Sequence, residues 1–250
     1  MSIKKIFNYS PNFNPKKRKV SEIKFLIFHY TGMKTESDAI KRLTNFKSQV
    51  SCHYLINKKG EVLFMVPDKY ISWHAGKSNW KDYKSLNKNS IGIEISNTGH
   101  RFNCEKFSKK QIQSILKLSR YLIKKYQIKS KNILGHSDVA PSRKKDPGEK
   151  FPWAYFAKKK VGLWHSISNK KLKINREIKL DITGKYNFFL NLSKIGYLRK
   201  NYINLKNSKL KINIVKAFQR RFRSELINGK IDRECLIISE DLAKKFNKNS

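Results

Sequence analysis

The sequence predicts a mixed α/β fold, a β-sheet flanked by helices, followed by a small C-terminal three-helix domain. Three observations carry this prediction. Short apolar runs of strand length alternate with amphipathic stretches up to about Trp164. One stretch, Lys109 to Tyr126, keeps full helical periodicity, and beyond about Lys170 the texture turns polar and lysine-rich before helical patterning resumes.

The run Lys24-Phe25-Leu26-Ile27-Phe28-His29 follows a polar leader and reads as a buried strand that delivers His29 at its carboxyl end. Past Gly32 a helix is expected, because Thr35 and Asp38 fit a capping box and Ile40, Leu43 and Phe46 share one face. His53 to Ile56 and Glu61 to Val66 flank Asn57-Lys58-Lys59-Gly60, a hairpin signal. Ser90 to Ile95 is a further strand that contains Glu94; a carboxylate in such a segment costs free energy unless it is hydrogen-bonded or faces a cation.

The Lys109–Tyr126 helix opens on a Ser108/Gln111 capping box, with Phe107 placed to staple onto Ile112. Its apolar positions Ile112, Ile115, Leu116, Leu122 and Ile123 assign it to packing. We therefore expect a first domain over 1–165, a linker over 166–181 and a helical domain over 182–250. In the last of these, Tyr186 to Leu198, Ile214 to Phe222 and a helix from near Ser239 supply one modest core.

The 56 Lys and Arg outnumber the 18 Asp and Glu, for a net charge of +38, which spreads a positive potential over the surface and attracts polyanions. The surplus is scattered Lys without an Arg-rich or aromatic-interleaved module, so no nucleic-acid partner is expected. Cys52, Cys104 and Cys235 are odd in number and widely spaced, against a disulfide framework or a Cys-rich zinc knuckle. MSIKKIFNYSPNF lacks the apolar run of an export signal, and no stretch is long enough to cross a bilayer. The expectation is a cytoplasmic chain, with a periplasmic or secreted one as the alternative.

Four of the six histidines, His29, His53, His74 and His136, fall in segments that read as ordered. Two sit beside turn residues, in Trp73-His74-Ala75-Gly76 and Gly135-His136-Ser137-Asp138, and Lys145-Asp146-Pro147-Gly148 places a carboxylate before a stiffened turn. Two imidazoles and one carboxylate make a three-ligand set for catalytic zinc. The spacing matches none of the short helical zinc motifs, so residue type alone leaves a structural role open for each histidine.

Taken in order, Phe28-His29-Tyr30-Thr31, Val50-Ser51-Cys52-His53-Tyr54-Leu55-Ile56, Trp73-His74-Ala75-Gly76, Asn89-Ser90-Ile91-Gly92-Ile93-Glu94, Gly135-His136-Ser137-Asp138 and Arg143-Lys144-Lys145-Asp146-Pro147-Gly148 resemble the type-2 N-acetylmuramoyl-L-alanine amidases over roughly residues 20–165. The resemblance implies His29, His136 and Asp146 as ligands of one zinc ion per chain. It implies Glu94 as the acidic group facing an attacking water, Lys144 as the stabiliser of charge on the carbonyl oxygen, and Trp73, His53 and His74 as residues along the substrate groove. Cys52 stands where the family often has a small residue. The implied partner is peptidoglycan or a muropeptide, cleaved between N-acetylmuramic acid, in some members its 1,6-anhydro form, and L-alanine.

Leu192-Ser193-Lys194-Ile195-Gly196-Tyr197, Val215-Lys216-Ala217-Phe218-Gln219-Arg220-Arg221-Phe222 and Gly229-Lys230-Ile231-Asp232 resemble a helical peptidoglycan-binding-like module. Two rival readings follow from the same residues: a metal-free recognition protein on this fold, and a basic nucleic-acid binder drawn from charge alone. The presence of His29, His136, Asp146 and Glu94 together weighs against the first, and the missing module against the second.

Overall fold

A computed structural model describes residues 5–203 and 208–248. Its strands are β1 (Lys5–Phe7), β2 (Phe13–Asn14), β3 (Phe25–Tyr30), β4 (Tyr54–Ile56), β5 (Val62–Phe64), β6 (Ile71–Ser72), β7 (Asn79–Trp80), β8 (Tyr83–Lys84), β9 (Ser90–Ile95) and β10 (Ile133–Gly135). The helices are α1 (Glu36–Thr44), α2 (Lys109–Tyr126), α3 (His136–Val139), α4 (Trp153–Lys158), α5 (Asn169–Asn175), α6 (Ile182–Ile195), α7 (Ser208–Phe222) and α8 (Arg233–Lys248). Six strands form one mixed sheet in the order β1-β5-β4-β9-β3-β10, and only the β4/β5 hairpin pairing is antiparallel. Among the described residues, no helix is long and apolar enough to cross a membrane.

The period-two alternation of β3 decides the layering. Leu26 and Phe28 point to one face, where with Ile91, Ile93 and Ile95 of β9 they meet Ile115, Leu118 and Leu122 of α2. Phe25 and Ile27 point to the other, against Phe188, Leu192, Phe218 and Leu242 of α6, α7 and α8. The expected three-helix unit is thus present as helices, but its core is continuous with the second face of the sheet. Gly196 ends α6 at the contact; its backbone is left-handed at φ 135°, and a Cβ there would lie 2.7 Å from the Trp80 indole.

Several expectations shift in detail. Thr35 caps α1 by accepting from the Asp38 N–H, but its hydroxyl donates to the Asp38 carboxylate, so the return bond of a capping box is not made. Phe46, expected on the inner face of that helix, lies in a following 3₁₀ turn and is 70% exposed. The Ser108/Gln111 box at α2 forms in both directions. The segment expected as a linker contains α5, capped by Ser168 and anchored by buried Leu172. Helices α6, α7 and α8 each begin earlier than their apolar residues suggested, because polar first turns carry no periodic signal.

Candidate metal centre and substrate groove

Parallel register sets the site. In the β3/β9 pairing Phe28 faces Ile93 and His29 faces Glu94, while Phe28 also pairs with Gly135 of β10, directly before His136. His29, Glu94 and His136 therefore emerge together at the carboxyl ends of three adjacent strands, where crevices open in sheets of this kind. Asp146 joins them through the turn after α3, where the Ser137 N–H donates to its backbone carbonyl at 2.8 Å.

His29 Nδ1 lies 2.9 Å from His136 Nδ1 and 3.0 Å from Asp146 Oδ2, and His136 Nδ1 lies 2.9 Å from the same oxygen. All three residues are buried. The hydrogen-bond network fixes both ring tautomers. The Ser90 hydroxyl donates to the Leu86 carbonyl at 2.6 Å, so its oxygen accepts from His74 Nε2 at 3.0 Å. His74 Nδ1 is then the acceptor for His29 Nε2–H at 3.0 Å, which leaves the lone pair of His29 on Nδ1.

For His136, Nε2 donates to the Ala75 carbonyl at 3.1 Å. Arg143 Nη2, at 3.4 Å from that nitrogen, is bonded at 2.7 Å to the same carbonyl, so the carbonyl is the partner of both. Nδ1 of His136 therefore also carries a lone pair. Three acceptors face one another at hydrogen-bond distance with no hydrogen between them, an arrangement that repels unless a cation lies among them. The donor set, two imidazole nitrogens and one carboxylate oxygen, suits zinc and leaves a position for water.

Burial pushes His29 down to about 4, assisted by the neighbouring His136. Glu94 goes the other way: burial, reinforced by Asp146 and partly opposed by Lys144, pushes it up to about 8. Its Oε2 is buried without a hydrogen-bond partner.

Glu94, Lys144, His136 and Asp146 line one groove of about 450 Å³, together with Trp73 and His74. That volume suits a small-molecule or short-peptide fragment. His53, expected along this groove, is instead fully buried one layer behind His74. The Gly92 N–H donates to its Nδ1 at 3.0 Å and its Nε2 lies 3.1 Å from the Tyr70 carbonyl, so it braces the wall without lining it. Cys52 fits without strain in a small core with Leu43, Leu55, Leu63 and Met65.

Groove residues to which the sequence assigned no role include Tyr30, His100, Arg101, Arg42 and Arg143. Tyr30 and Arg143 flank ligands in sequence and His100 follows a glycine, but no periodicity marks them. A second cavity, of about 360 Å³, lies between 139–143 and 196–198 and shares only Arg143 with the groove. None of His29, His136 and Asp146 lines it.

Residues 19–149 match the Amidase_2 family, described as N-acetylmuramoyl-L-alanine amidase. The chain belongs to this family. It is 32% identical over 239 residues to the N-acetylmuramoyl-L-alanine amidase AmiD of Escherichia coli, covering 91% of this chain and 84% of that protein. The 1,6-anhydro-N-acetylmuramyl-L-alanine amidase AmpD of the same organism is 40% identical over 108 residues, 43% of this chain and 57% of the relative.

Family likeness extends to the whole architecture. The E. coli AmiD structure, a complex with anhydro-N-acetylmuramic acid-L-Ala-D-gamma-Glu-L-Lys, superposes with a TM-score of 0.78 over 90% of each chain at 32% identity. AmpDh3 from Pseudomonas aeruginosa, in complex with an anhydromuramic pentapeptide, gives 0.78 at 26% identity, covering 93% of this chain and 94% of the other. Both alignments run far enough to include much of the C-terminal helical unit.

Proposed function

We propose that this chain is a zinc-dependent N-acetylmuramoyl-L-alanine amidase that hydrolyses the amide between N-acetylmuramic acid, including its 1,6-anhydro form, and the L-alanine of the stem peptide. The observation that carries the reading is the convergence of two imidazole lone pairs and one carboxylate oxygen within 3.0 Å, beside a partnerless glutamate oxygen. His29, His136 and Asp146 would hold one zinc ion. When bound, zinc supplies Lewis acidity to the scissile carbonyl and to a water molecule.

The remaining work falls to the chain's own groups. Glu94 takes a proton from the attacking water as its oxygen bonds to the carbonyl carbon, and returns that proton to the alanine nitrogen as the C–N bond breaks. Lys144 holds negative charge on the carbonyl oxygen through the tetrahedral stage. Trp73 and His74 form part of the groove wall against which the substrate lies. The raised position of Glu94 supports this role, since a base that keeps its proton readily can also return it as an acid.

We also assign to residues 182–250 the role of a peptidoglycan-binding-like module that favours polymeric wall over small fragments. What supports it is the motif likeness and the strongly basic composition, which would concentrate an anionic polymer near the groove. The test is digestion of purified anhydro-muropeptide and of intact sacculi, before and after chelation, with mass-spectrometric detection of freed stem peptide. Release that stops on chelation and returns with one equivalent of zinc is expected. Full activity in metal-free protein would refute the reading.

A further inference from the structure

The turn that presents His136 is fastened from the C-terminal helices. Asp138, two residues into α3 after His136, turns its carboxylate back so that Oδ2 accepts the Gly135 N–H at 2.8 Å. This closes the β10–α3 junction around the ligand. The same carboxylate is 1% exposed and is held by two groups from far along the chain. The Tyr197 hydroxyl donates to Oδ1 at 2.6 Å, and Arg221 Nη1 donates to Oδ2 at 2.6 Å.

Arg221 does more than pair. Its Nη2 donates to the Ile133 carbonyl at 2.9 Å, so one guanidinium grips both the start of β10 and the first turn of α3. The guanidinium carbon sits 4.2 Å from the centre of the Trp153 ring. The adjacent Arg220, also buried, approaches Glu149, with Nε 3.7 Å from Oε2. That carboxylate bonds His100 Nε2 at 2.9 Å, and His100 Nδ1 meets the Tyr30 hydroxyl at 2.8 Å on the groove wall. Two consecutive arginines of α7 thus run to two sides of the site.

A wholly buried ion pair is a poor device for stability, because desolvating both charges offsets most of their attraction and an apolar pair of equal volume does as well. What the pair does supply is direction. Its bonds fix the Asp138 carboxylate, the carboxylate fixes the Gly135 peptide, and the peptide sets where the His136 ring points. We propose that Arg221 of α7 and Tyr197, just past α6, are positioning residues for His136, so that these two residues support the metal centre from the C-terminal unit. The inference rests on the reading of His136 as a metal ligand.

The experiment uses the full chain and measures the zinc dissociation constant at 25 °C by competition with a chelating indicator, alongside the melting temperature of the chelated protein. Arg221→Met is expected to weaken zinc binding by about 10-fold, the low end of the range for a directly bonded partner of a ligand, because Arg221 acts on His136 through Asp138 and Gly135. Arg221→Lys, which keeps the charge but loses the second bond, should recover part of it. Tyr197→Phe removes one hydroxyl, leaves the ring packed on Trp80 and Phe218, and should weaken binding by several-fold; it serves if Arg221→Met does not fold. Leu242→Ala, in the core of α8, should lower the melting temperature and leave zinc affinity unchanged. Wild-type affinity in folded Arg221→Met, or in Tyr197→Phe, would overturn the inference. So would a loss of affinity in Leu242→Ala that scales with its loss of stability. A wild-type chain that takes up no zinc would overturn the metal reading itself, and this inference with it.

Discussion

Glu94 stands beside His29 in the strand register but bonds to none of His29, His136 and Asp146, and burial pushes it up to about 8. Glu94→Gln keeps its size and removes the base, so kcat should fall by at least about 10²-fold with zinc occupancy unchanged, read by steady-state kinetics and metal analysis. The same group should leave a mark on stability in the chelated protein. Its folded pKa lies above the unfolded 4.5, so the folded state holds the proton more tightly between about 4.5 and 8. Stability contributed by the protonated form is complete below that window and is lost as pH rises through it, by up to about 1.4 kcal/mol per pH unit. Chelated Glu94→Gln should therefore match wild type near pH 4 and be the more stable of the two near pH 8 in denaturant titrations. Equal stability of the two at both pH values would show that Glu94 titrates normally.

Among the described glycines, Gly92 of β9 leaves the least room for a side chain. It has no left-handed backbone to explain the glycine; the reason is the His74 ring, whose Nδ1 a Cβ would approach to 2.6 Å. Gly92→Ala should push His74 off Ser90, break the chain of bonds that orients His29, and weaken zinc binding by about 10-fold or more while costing about 1–3 kcal/mol in unfolding measurements. The sequence made β3, the β4/β5 hairpin, β9 and α2 legible because their apolar residues repeat at the strand or helix period. It left β1, β10 and α3 hidden, since three or four residues hold barely more than one period and no hairpin turn marks them as Asn57–Gly60 marks β4 and β5. The clustering of His29, His136 and Asp146 was legible through motif order, yet the burial of His53 was not: its motif spacing carries no information on which layer the ring enters. Nor could sequence foretell that Asp138 would be answered by Tyr197 and Arg221, 59 and 83 residues away.

For the whole molecule, the shared core decides whether the helices can be removed. Cutting after residue 165 would uncover Phe25, Ile27, Leu134 and Val139, each at most 2% exposed. At roughly 1.5–3 kcal/mol per side chain, about 6–12 kcal/mol would go, comparable with the whole stability of a domain. The shortened chain is expected to aggregate or to lack a cooperative melting transition in circular dichroism; a sharp transition would show that the first unit folds alone. The net charge of +38 acts at the same scale. Raising salt from about 0.05 to 0.5 M should slow digestion of insoluble sacculi more than that of a soluble muropeptide, because screening weakens long-range attraction to an anionic polymer. The metal centre also has a bearing on how the protein is made. The residues that would hold the ion are separated by 107 positions between His29 and His136 and by 10 more to Asp146. During synthesis, nothing in the nascent chain assembles the three-acceptor cluster until Asp146 has left the ribosome and β10 has inserted beside β3. An ion bound there would join the third strand to a turn more than a hundred residues later and so act as a late-set cross-link on the domain.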